Sequence, residues 1–157
     1  AQAWELALNR TDGPVALVLT RQNVPPLDVE PGGVAGGGYV VREGDDVTLI
    51  ATGSEVWVAR DAAELLAGDG ISARVVSLPC WELFFEQTPE YREEVLGTGP
   101  RVSIEAAATF GWERIVGSDG LMIGIDRFGA SAPDKVIAEE LGFTPEAIAA
   151  RVRGFLT

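Results

Sequence analysis

The sequence contains no histidine. That absence removes the commonest general base, proton shuttle and metal ligand among the side chains. A single cysteine, Cys80, excludes an internal disulfide and any cysteine-cluster metal site, and it fits a reducing, cytoplasmic setting. Basic residues are few: 12 Lys and Arg stand against 24 Asp and Glu, for a net charge of −12. Such a field repels phosphate backbones, so nucleic acid is not an expected partner. No apolar run approaches the ~18 residues of a membrane helix, and no basic-then-apolar leader opens the chain, so no membrane partner is expected either.

What is present is a chain of 157 residues, 46% of them hydrophobic, enough for one well-cored domain plus a small appendage. It opens on Ala1-Gln2-Ala3-Trp4 with no Met and with a helix already under way, so the expectation is a piece of something larger. The central stretch is Val47 to Val56. Val47–Ala51 is an almost continuous apolar run, the pattern of a strand covered on both faces. Gly53 permits a tight turn, and Ser54 stands where a helix N-cap is expected. Val56, Ala59, Ala63 and Leu66 then recur at helical spacing until Gly68-Asp69-Gly70 stops the helix. A second buried run, Ala73–Leu78, completes a βαβ crossover, right-handed by default.

Upstream of this unit, Gln2–Asn9 reads as the end of a helix with Trp4, Ala7 and Leu8 on its apolar side. Val15–Thr20 is a further apolar run, expected as a strand, with Arg21, Gln22 and Asn23 at its carboxyl end. Ligands of open parallel sheets bind beyond the carboxyl ends of strands, so Arg21 is a candidate anion clamp; the plainer alternative is an arginine paired with a local carboxylate. From Val24 to Gly38, prolines and glycines prevail and large apolar residues are few, which predicts a linker at a domain boundary. No Gly-x-Gly-x-x-Gly or Walker spacing accompanies these glycines, so a phosphate loop is not expected.

Downstream, Tyr39–Val41 reads as a short edge strand. Cys80 precedes a short helical stretch through Phe85; a helix N-terminus can lower a thiol pKa, but with no histidine beside it a packing role is the expectation. Thr88-Pro89 starts a helix through Leu96 that Gly97 ends. Arg101–Ala106 and Leu121–Ile125 are two further strands, the first with Glu105 toward the ligand side. A short helix is expected from Gly111-Trp112-Glu113 toward Val116, and a loop over Asp126–Ala130. Ser131-Ala132-Pro133-Asp134 resembles a capping box before a helix to Leu141, and Thr144-Pro145 starts a last helix with Ile148, Val152 and Phe155 as its core stripe. The fold class expected is α/β: three α/β/α layers around a mostly parallel sheet with one antiparallel edge strand.

Several motifs, in their order and spacing, resemble the C-terminal part of the transketolase family over essentially the whole chain. They are Leu19-Thr20-Arg21-Gln22-Asn23-Val24-Pro25, Gly37-Gly38-Tyr39-Val40, Ala51-Thr52-Gly53-Ser54-Glu55-Val56, Ala73 to Pro79, Gln87 with Tyr91-Arg92, Gly111-Trp112 and Phe128 to Pro133. The resemblance implies a transferase of the pentose phosphate pathway. Such enzymes are homodimers that use thiamine diphosphate and a divalent metal, Mg or Ca, to move a two-carbon ketol unit from a ketose phosphate to an aldose phosphate. It implies the tail of a pyrimidine-binding domain over residues 1–23, a linker over 24–38 and the complete C-terminal domain over 39–157. The diphosphate and metal domain and the catalytic glutamate are expected upstream of Ala1, so no catalytic, cofactor or metal residue carries over, and the segment alone is expected to be inactive. Arg21 alone carries over, as part of the clamp on the sugar phosphate; Ser54 and Glu55 carry no catalytic role. The alternative reading is an assembly module of a related thiamine diphosphate enzyme, such as a 2-oxoacid dehydrogenase component, and Leu19-Thr20-Arg21-Gln22 favours transketolase.

Overall fold

A computed structural model describes residues 1–20, 22–27 and 32–157. Its centre is a sheet of five strands in the order β1-β3-β2-β4-β5: β1 Tyr39–Arg42, β2 Val47–Ala51, β3 Ala73–Ser77, β4 Arg101–Ile104 and β5 Leu121–Ile123. β2 pairs in parallel with β3 on one side and β4 on the other, β4 pairs in parallel with β5, and β1 alone runs antiparallel, on the outer edge of β3. The expected α/β class and the antiparallel edge strand are both found.

Alternation along the strands sorts side chains between two helical layers. Val47, Leu49 and Ala51 of β2, with Val75, Val102, Ile104 and Ile123, meet α2 (Glu55–Gly68) and α7 (Pro145–Leu156) through Val56, Ala59, Leu66, Ile148 and Val152. Ala138 and Leu141 of α6 (Asp134–Leu141) pack at the margin of that layer. On the other face Ile50, Val76 and Leu78 meet α3 (Trp81–Glu86), α4 (Pro89–Leu96) and α5 (Glu113–Val116) through Phe84, Val95, Leu96, Trp112 and Ile115. Trp81 and Trp112 close this second core edge to face, with ring centroids 4.9 Å apart.

Of the helix starts expected to be capped by a side chain, two are and two are not. Thr88 and Thr144 accept bonds from Tyr91 N at 3.2 Å and Ala147 N at 3.3 Å, each ahead of a proline. Gly70 (φ +79°) closes α2 with two bonds, Gly70 N to Ala67 O and Ile71 N to Leu66 O, the pattern of a Schellman motif. Ser54, expected as a cap, instead has helical backbone angles and turns its hydroxyl to Glu55 Oε1 at 2.8 Å. Ser131 is no cap either, because α6 starts only at Asp134, behind Pro133.

Two larger expectations change. Val15–Thr20 forms no strand, since no neighbouring strand offers it a ladder, and Val18 and Leu19 stand 94% and 76% exposed. The glycine-rich segment is packed where it reaches the sheet. Residues Gly33–Gly36 form one turn of 3₁₀ helix, and Gly37 and Gly38 are buried. A Cβ on Gly36 would lie 2.1 Å from the Tyr91 hydroxyl, and one on Gly37 would lie 2.2 Å from Phe84 N. Composition alone cannot distinguish glycines that confer slack from glycines that permit backbone contact.

Gly37→Ala should therefore destabilise the chain by at least ~1 kcal/mol, since it adds strain at φ +76° to the clash with α3. Gly154→Ala, in α7 with no atom within 4 Å of its Cβ position, should instead stabilise by up to ~1 kcal/mol. Urea unfolding of both variants checks the pair, and equal effects would refute the packing account.

Candidate functional site

The sheet order places β3 on one side of β2 and β4 on the other, so the connections leaving β2 and β4 diverge at their carboxyl ends. Such a switch point opens a crevice where α/β folds bind ligands. Ala51 and Ile104 are the paired last residues of the two strands, which makes Thr52 and Glu105 the first residues beyond them. The Thr52 hydroxyl donates a hydrogen bond to Glu105 Oε2 across this point. Glu105 N in turn donates to Ile123 O at 3.0 Å, which fixes the carboxylate's backbone against β5.

Burial, the larger effect, pushes the Glu105 carboxyl pKa above its ordinary value; the Thr52 bond opposes the rise and the charge of Glu55 adds to it. The crevice thus holds a carboxyl group more easily protonated than a surface glutamate. The position of Glu105 at the carboxyl end of a strand is legible in the sequence, whereas the role of Thr52 is not, because it depends on the β2–β4 pairing.

Beside this pair lies a cleft of about 500 Å³, bounded by Ser54, Glu55 and Ala106 at the strand ends, by Ile137 and Leu141 of α6, and by Gln22 and Asn23 from the N-terminal segment. Thr20 Oγ1 accepts a bond from Gln22 N at 3.3 Å beside this cleft. The loops beyond the sheet are tied by Ile125 N donating to Ala107 O at 2.8 Å and by Thr109 N donating to Asp126 Oδ1 at 2.9 Å. Arg21, the candidate substrate residue, lies outside the described residues. Its neighbours Gln22 and Asn23 reach the cleft, while the buried strand expected to carry it does not form.

The donor set does not fit a metal-bound diphosphate. Glu55 and Asp134 give the cleft carboxylates where a diphosphate calls for cations or bare backbone N–H groups, and among the described residues no three His, Cys, Asp or Glu side chains group to hold a metal. Cys80 sits half-buried just before α3, its sulfur 3.4 Å from Glu82 Oε2. No helix among the described residues is long and apolar enough to cross a membrane.

A mostly parallel sheet with one reversed edge strand, helices on both faces and a crevice at its switch point defines an open-sheet α/β domain, and comparison with known proteins identifies its kind. The Transketolase-like TK C-terminal domain family matches residues 37–144. Transketolase of Aquifex aeolicus is 49% identical over 96% of the chain, which spans 23% of that relative's length. A crystal structure of transketolase from Pichia stipitis superposes with a TM-score of 0.93 at 38% identity, over 99% of this chain and 23% of that one. A split-gene transketolase described as an inactive beta4 tetramer superposes at 0.68 with 25% identity, over 87% of this chain and 48% of that one. The chain belongs to the transketolase family, and corresponds to a C-terminal segment of its members.

The raised pKa of Glu105 has a stability consequence. The folded chain holds the proton more tightly than the unfolded one, so this group's contribution is favourable below the ordinary carboxyl value of 4.5, falls as pH rises through the folded pKa, and stays unfavourable above it. Glu105→Gln removes the charge while keeping an acceptor for Thr52. Its stability relative to wild type should climb as pH rises through that window in denaturant titrations run over a pH series, and parallel curves would refute the assignment.

Proposed function

We propose that the chain is the C-terminal segment of a cytoplasmic transketolase that, as the intact homodimer, transfers a two-carbon ketol unit between ketose and aldose phosphates in the pentose phosphate pathway. Thiamine diphosphate and a divalent metal supply the carbanion chemistry there, and both are held by parts of the intact protein other than this segment. The observation that carries the reading is the family match over residues 37–144 together with 49% identity to a curated transketolase along 96% of the chain. A 2-oxoacid dehydrogenase component is not favoured, because the relatives and structural neighbours reported above are transketolases. The same reading divides the chain into a pyrimidine-domain tail (1–23), a connecting segment (24–38) and the C-terminal domain (39–157).

Within this segment the proposed substrate contact is Arg21, as part of the clamp on the sugar phosphate. Support comes from the Leu19 to Pro25 motif and from Gln22 and Asn23 standing at the cleft. With Glu55 and Asp134 also there, a phosphate needs a guanidinium to offset their field, and arginine offers two parallel N–H donors where lysine offers a point charge. The phosphate is remote from the reacting carbonyl, so the contact serves binding and orientation.

In the full-length enzyme, Arg21→Ala should cost roughly 2 to 4 kcal/mol in kcat/KM for phosphorylated substrates, mainly through KM, with Arg21→Lys recovering part. Hydroxypyruvate with a non-phosphorylated acceptor should be almost unaffected; equal losses with both substrate kinds would make Arg21 structural. Calorimetric titration of the 157-residue chain with thiamine diphosphate and magnesium should show no saturable binding. One-to-one binding would place the cofactor site in this segment and overturn the division of labour.

A further inference from the structure

A second cleft, of about 240 Å³, lies over the layer formed by α3, α4 and α5, and it collects Arg92, Arg101 and Arg114 beside Phe84, Phe85 and Glu93. In a chain of net charge −12, three guanidiniums around one small cavity against a single carboxylate are a local reversal of the protein's field. Arg101 opens β4 whereas Glu105 follows that strand's last residue, so this cleft and the switch-point crevice lie toward opposite ends of the strand.

None of the three arginines forms a direct ion pair with a carboxylate among the described residues. Arg101 donates to Ile115 O at 3.2 Å and to Gly97 O at 2.9 Å, both neutral carbonyls. Burial draws its pKa down, and the charge of Glu93 draws it up. Arg114 lies with its guanidinium carbon 4.4 Å from the centroid of the Phe85 ring. Arg92 buries its Nε with no hydrogen-bond partner, although burying an unbonded polar group costs free energy. Among the described residues Arg10, Arg60, Arg74 and Arg153 have carboxylate partners, while Arg92, Arg101 and Arg114, like Arg42, Arg127 and Arg151, form no ion pair; the first three are the ones gathered in one cleft.

We propose that this three-arginine cleft is a binding site for the dianionic phosphate group of a small organic phosphate. Three guanidiniums and one carboxylate, Glu93, line the cleft, and this local excess of positive charge suits the dianionic group of a phosphate monoester. Arg101, with its Nη atoms already engaged, contributes charge to the floor, and the half-buried Phe85 ring gives the organic part an apolar wall.

The test is equilibrium dialysis of the full-length chain, in its cofactor-loaded form, against radiolabelled inorganic phosphate at constant ionic strength. Arg114→Leu should weaken one phosphate site per chain by roughly tenfold, the scale of one lost charge-assisted contact. Arg92→Leu should do the same. Arg21→Ala should leave this site intact, which separates it from the proposed substrate clamp. Arg114 is exposed, so its variant decides the matter should Arg92→Leu not fold. Unchanged phosphate binding in Arg114→Leu overturns the proposal, as does citrate displacing the label as well as glycerol phosphate does, since the site would then select carboxylates.

Discussion

Everything in this chain is arranged around keeping β2 dry. All five of its residues are buried, so their side chains need cover on both faces and their backbone groups need a neighbouring strand on each side. The flanking parallel strands, β3 and β4, meet the second demand, and the two helical layers meet the first. The switch-point crevice is a by-product of the same arrangement, because the connections leaving β2 and β4 must part to reach opposite sides of the sheet.

The second layer is built from short helices, which need help at their ends. The last carbonyls of α4 obtain it from the sheet: Glu94 O accepts from Arg74 Nη1 and Leu96 O from Thr48 Oγ1, each at 2.8 Å, and Gly97 O accepts from Arg101 Nη2 at 2.9 Å. Cationic donors at a helix C-terminus answer both the orphan carbonyls and the dipole. Strand residues facing this layer thus act as caps, and Thr48 remains almost fully buried because its hydroxyl is bonded. The chain approaching from Gly36 to Gly38 completes the layer: Cys80 N donates to Gly37 O at 3.0 Å and Tyr91 Oη donates to Gly38 O at 2.8 Å.

The two clefts differ in electrostatic character. At the switch point the charges are carboxylates, with Glu105 drawn toward its neutral form by burial and a threonine hydroxyl bonded to it. Over α3, α4 and α5 the charges are guanidiniums, one of them with a buried donor left unbonded. Neither character follows from the overall charge of −12, since a site is set by the few groups that share one cavity rather than by the sum over the chain.

The sequence by itself determined the class and the elements of the sheet and its helical layers. The apolar run Val47–Ala51 reads as a doubly covered strand, Thr88-Pro89 and Thr144-Pro145 as helix starts, and Gly68-Asp69-Gly70 as a helix stop, because each is decided by residues within a turn of one another. The family resemblance was legible for a similar reason, being carried by contiguous motifs. Tertiary structure decided what depends on partners distant in sequence. Val15–Thr20 carries the pattern of a strand but forms none within this segment, which supplies no neighbouring strand to bond it. The glycines before Tyr39 have the composition of a linker, yet two of them are buried against α3, a contact that no local pattern encodes. Thr52 meets Glu105 across 53 residues, and Arg92 joins Arg101 and Arg114 from three separate elements. A site made of groups this far apart along the chain comes into being only when the sheet order and the helix packing bring them to one place.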